Sequence, residues 1–167
     1  MYKFDFMSYM LDCATRLKEI SHSESEKRFF RISDLYNLDE FLFNLPDAKY
    51  PAMLVLDDVQ GNFADRSKSD NYVDIKSNTF IVVADAPFND HDKVEEVKES
   101  CKAIGLKIIA RMIHEKRNML NGLIFLDTTS IVYTTVGPIA DNVFGVMFSF
   151  KLTDQLSTKH NPEDWIA

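Results

Sequence analysis

The stretch VFGVMFSFKL, residues 143–152, alternates cleanly. Val146, Phe148, Phe150 and Leu152 fall on one side, and Met147, Ser149 and Lys151 on the other. A period of two belongs to a strand with one buried face and one wetter face. A strand of this kind needs partners, and the sequence on either side supplies them. Phe80 to Asp85 reads as a strong strand, and Tyr72 to Lys76 as an alternating one, with Ser77-Asn78 as a tight turn between them. Ala52 to Val59 is a continuous apolar run that includes Asp57-Asp58 near its end, as expected of a largely buried strand. Leu123 to Leu126 and Ser130 to Val136 add two more short strands, and Gly137-Pro138 to Asn142 turns the chain into residues 143–152. Arg28 to Ile32 fits a short strand or a helical turn.

Two segments change period. In Asp5 to Ile20, Phe6, Met10, Cys13, Leu17 and Ile20 recur at helical spacing. In the longest such segment, about residues 90 to 117, Val94, Val97, Cys101, Ile104, Ile108 and Met112 line one face. Gly105 interrupts that helix at a cost of about 1 kcal/mol relative to Ala, which suggests close packing there against the first helix. Leu38 to Leu45 reads as a further short helix. The order is helix, strands, long helix, strands. It predicts an α+β two-layer sandwich, a mostly antiparallel sheet with two main helices on one face. The expected organisation is one domain over residues 1–153 and a polar tail over residues 154–167.

The chain has 167 residues, 46% hydrophobic and 27% charged, which is enough for one core without disulfide or metal. Its net charge of −7 repels phosphate backbones and argues against non-specific or sequence-specific nucleic-acid binding. Cys13 and Cys101 sit among apolar neighbours in predicted helices and read as buried thiols. No apolar run approaches the roughly 20 residues of a membrane helix, so neither a membrane span nor an apolar leader is expected, and the expected compartment is the cytoplasm.

Chemistry-bearing motifs are sparse. The four histidines lack ligand spacing, no Ser sits in a nucleophile elbow, and five glycines build no phosphate cradle. No cofactor, no metal and no catalytic residue are expected on the principal reading. The one constellation to weigh is Asp57-Asp58 with Asp74-Ile75-Lys76. A carboxylate plus an acid-x-Lys pair on adjacent strands resembles the Mg-dependent PD-(D/E)xK nucleases, whose acids hold the metal while the Lys helps position or activate water. Asp57 follows Leu56 rather than Pro, and the Asp74 strand is not the one that leads into the long helix. That alternative predicts loss of activity in Asp74→Ala.

Thirteen Phe, six Tyr and one Trp are more than one small core face accommodates. Phe43, Phe63, Phe144 and Trp165 are expected at interfaces, with Arg66 and Lys68 in the polar segment Gly61 to Asn71. That segment reads as a mobile loop or as a hairpin arm that orders against a neighbour.

A leading helix, strands with a long polar segment between two of them, a long second helix and C-terminal antiparallel strands resemble the tail-terminator (tail-completion, minor tail) proteins of bacteriophages. The resemblance spans residues 5 to 153 and lies in element order. It implies a non-enzymatic subunit of a hexameric ring that caps the tail tube and meets the head connector. The protein would be assembled in the host cytoplasm and end in the virion, with Gly61 to Asn71 facing the pore or the tube. A small protein-binding adaptor is a third reading.

Overall fold

In the computed structural model, residues 4–33, 38, 48–57, 60–65, 72–156 and 161–166 are described. Helix α1 spans Phe6–Arg16, strand β1 Phe29–Ile32, β2 Ala52–Leu56, β3 Gln60–Asp65 and β4 Tyr72–Asp85. Helix α2 spans His91–Arg117, a 3-10 turn Leu123–Phe125, β5 Leu126–Ile139 and β6 Val143–Gln155. A last 3-10 turn covers Pro162–Asp164.

The helices start at side-chain caps. The Asp5 carboxylate accepts from the Ser8 amide at 3.1 Å, and Asp90 from the Lys93 amide at 3.2 Å. Each satisfies an amide that the first helical turn leaves without a partner. Asn118 closes α2 by donating its side-chain amide to the His114 carbonyl at 2.8 Å.

The sheet runs β1-β2-β4-β6-β5, with β3 also paired to β4. Its pairings are antiparallel except β1 with β2. β4 and β6 form its spine, in one unbroken register from Val73↔Gln155 to Asp85↔Val143. Ser77-Asn78 is therefore no turn. Both residues pair inside β4, because β6 offers partners along the whole length. Residues 123–125, expected to begin a strand, instead make a 3-10 turn that leads into one continuous β5. β2 and β3 share the same flank of β4, and their registers differ by two residues (Val55↔Phe80 against Gln60↔Ser77). A slip of two preserves which face each side chain takes.

Both helices cover one face, as expected for the two-layer α+β sandwich. Met10 and Cys13 of α1 and Cys101, Ile108 and Met112 of α2 share a core with Met53, Val55, Phe80, Val82, Val146, Phe148 and Phe150. Gly105 packs on the sheet rather than on α1: a Cβ there would overlap the Phe148 ring. On the opposite face a second cluster joins Ile32, Leu38, Ala52, Leu54, Ile81, Val83, Ile139 and Val143. Beyond it that face turns polar, with Thr79 and Ser149 joined by a 2.9 Å hydrogen bond.

Candidate assembly surface

The acid-and-lysine constellation is partly brought together. Asp74 and Lys76 lie on β4, and Asp154 lies opposite Asp74 on β6. Lys76 Nζ is 3.0 Å from Asp154 Oδ2 and 3.3 Å from Asp74 Oδ2. Hydrogen bonding to Asp154 raises the Lys76 pKa above the ordinary lysine value against the opposing cost of burial, and Asp74 adds to the rise. Lys76 is thus held as a cation between two carboxylates. Asp154 had been expected in the tail, but β6 carries it into the sheet.

Asp57 and Lys76 both line an open groove of about 540 Å³, with Phe4, Phe6, Asn78 and Leu152 among its walls. Asp57 itself faces Arg31, whose Nη2 donates to both carboxylate oxygens at 2.8 and 2.7 Å. Asp58 lies outside the described residues. Among the described residues no group of three or more His, Cys, Asp or Glu is placed to hold a metal ion. His22 Nδ1 accepts from the Arg28 amide at 3.1 Å, while His91 and His114 lie exposed on α2. Burial pushes the Cys13 and Cys101 thiols up to about 11 and about 12, so neither is a ready thiolate.

The aromatic candidates separate into different roles. Phe63, on β3, is 68% exposed, and residues 60–65 are a strand of a hairpin arm rather than a loop. Phe144 is only 4% exposed. It was expected at an interface, but α2 covers it: it packs with Ala86 and Val94, and Lys98 Nζ lies 5.5 Å from its ring centre. Trp165 follows the last 3-10 turn and is 70% exposed. Phe43, Arg66 and Lys68 lie outside the described residues.

Two features of the surface escaped the sequence reading. At the far end of the sheet, β5 pairs only with β6 among the described residues. Val132 and Tyr133 on it are 59% and 52% exposed. A run of β-branched residues suggests burial, and nothing local says that its strand ends the sheet. The second feature is a charge network under α1. Arg111 donates to Asp12 at 2.7 Å and to Glu115 at 2.8 Å, and Asn121 donates to Glu115 at 3.0 Å. Burial would raise the Glu115 pKa, but the hydrogen bonds from Asn121 and Arg111 prevail and hold it below the usual carboxylate value. Glu115 follows Ile108 by seven residues along the buried stripe of α2, which is the one signal that could have flagged it.

No helix among the described residues is long and apolar enough to cross a membrane. No protein-family model matches the chain, and no curated protein matches it in sequence.

Proposed function

We propose that this protein is a non-enzymatic structural subunit of a phage-type tail or head-tail junction. It forms a homo-oligomeric ring, six copies on the family resemblance, that caps a tail tube and meets the connector. The observation that carries the reading is the arm. β3 pairs with the first half of β4, which β6 holds on its other flank, and this arm of the sheet presents Phe63 to solvent in an isolated subunit. An exposed aromatic on a strand with a free flank among the described residues supports a contact with a partner there. The layering supports the same reading. Helices on one face leave the polar stretch of the other, around Thr79 and Ser149, able to face an aqueous pore.

The nuclease alternative draws less support. Lys76 is held charged by two carboxylates, and Asp57 is engaged with Arg31, so neither group is poised for water activation. Negative-stain electron microscopy of the purified protein tests the proposal. Class averages should show closed six-fold rings; a field of single small particles would overturn it.

A further inference from the structure

Among the described residues, β5 and β3 each leave one flank without a strand partner. Thr128 to Val136 on β5 contains no charged residue and no proline, and neither does Gln60 to Ala64 on β3. Asp127, Pro138 and register shifts bound the β5 stretch at its two ends, and Asp65 bounds that of β3, so pairing with another chain is confined between them. Natural edges carry Lys, Pro or inward charges that block pairing with another chain. The third open strand, β1, is only four residues long and carries Arg31, already bound to Asp57.

The two uncharged flanks also match in chemistry. Tyr133 lies opposite Phe148 and Phe63 opposite Asp74, so both side chains stand on the helix-covered side of the sheet. Among the described residues each is a half- to mostly exposed aromatic with no strand beyond it, and Lys102 Nζ lies 5.1 Å from the Tyr133 ring centre. Strand directions match too. β3 runs antiparallel to β4, β4 to β6 and β6 to β5, so β5 of one copy meets β3 of the next antiparallel when the sheet continues in its own plane.

We propose that the β5 edge is a strand-addition site whose occupant is β3 of a second copy of this chain, with Phe63 set opposite Tyr133. This rests on the ring reading and supplies its joint. The pairing is heterologous, the kind that generates rings when the rotation closes. Its stagger also suits closure. Tyr133 stands at the level of Phe80 on β4, and Phe63 at the level of Asp74, six residues away. At ~3.3 Å per residue, that is an offset of about 20 Å for each set of four strands spaced ~4.8 Å apart. The corresponding strand tilt is ~45°, within the range of closed sheets.

A disulfide tests the register. Opposing Phe63 to Tyr133 also opposes Asn62 to Thr134, both exposed and both on the far side of the sheet. The full-length double variant Asn62→Cys with Thr134→Cys, oxidised and run without reductant, should give a ladder of covalent oligomers that reductant abolishes. Each single variant should stay monomeric on the same gel. Cys13 and Cys101 are buried and do not interfere. A disulfide-linked dimer from Thr134→Cys alone would mean β5 pairs with itself and would overturn the proposal. Absence of a ladder in a particle with a ring's mass would overturn the edge pairing while leaving the ring intact. A ladder in open filaments would keep the pairing and remove the closed ring. As a second variant, Thr134→Lys places a charge in the edge. It should reduce the particle to single chains with circular dichroism unchanged; retained assembly would contradict the site.

Discussion

Gly105 and Phe148 set the tightest constraint at the residue scale. Alanine is the better helix former by about 1 kcal/mol. Yet a methyl group at residue 105 would overlap the Phe148 ring, and forcing extra volume into a packed core costs about 1–3 kcal/mol. Packing wins, so Gly105→Ala should lower stability in denaturant unfolding. The penalty should shrink when Phe148→Leu is present, because the two sites share one volume. Additive effects would show that the ring moves aside freely. Ile104, beside it and buried, should lose about 2–5 kcal/mol as Ile104→Ala; a loss below half a kcal/mol would place that face in solvent.

Glu115 supplies the pH dependence at the same scale. Its pKa is lowered in the folded chain, so its contribution is present above the unfolded value and is lost as pH falls through the folded one. Glu115→Gln keeps the shape but gives up hydrogen bonds to a charged group, worth about 1.5–3 kcal/mol. The variant should melt lower at pH 7, and the gap to wild type should close in acid. An equal gap at both ends would exclude this ion pair as the cause.

At the scale of elements, the hairpin arm is where sequence and structure diverge most instructively. Periodicity located α1, α2 and the strand at residues 143–152, because their apolar spacing has to match the geometry of the surface they cover. At Gln60 to Asp65 it left a loop and a hairpin arm both open, and these polar residues form a strand because β4 continues beyond its pairing with β2 and offers them partners. Periodicity failed at Ser77-Asn78, where local turn chemistry lost to continuous pairing with β6. Phe63 was legible as an interface candidate, being a lone apolar residue in a polar stretch. Phe144 was not legible as a core residue, since its burial depends on where α2 begins. The open flank of β5 was also illegible, because strand order is a property of the whole sheet. Since Phe63 contributes little to its own subunit, Phe63→Ser should shift subunit stability by no more than about 0.5 kcal/mol. It should nonetheless abolish assembly, as read by size-exclusion chromatography beside a melt. A large drop in melting temperature would assign Phe63 to the fold instead.

At the scale of the whole molecule, a net charge of −7 makes copies repel one another, so the proposed ring has to rest on specific contacts. Assembly should also be visible at Trp165, the only Trp, if a neighbouring copy covers it. Its emission would then be water-like in dissociated chains and blue-shifted in the particle. The central claim, a ring of identical subunits, is tested most directly by the mass of the purified full-length protein in solution. Multi-angle light scattering across a wide concentration range should give one species of about six chain masses. A single-chain mass at every concentration would contradict it.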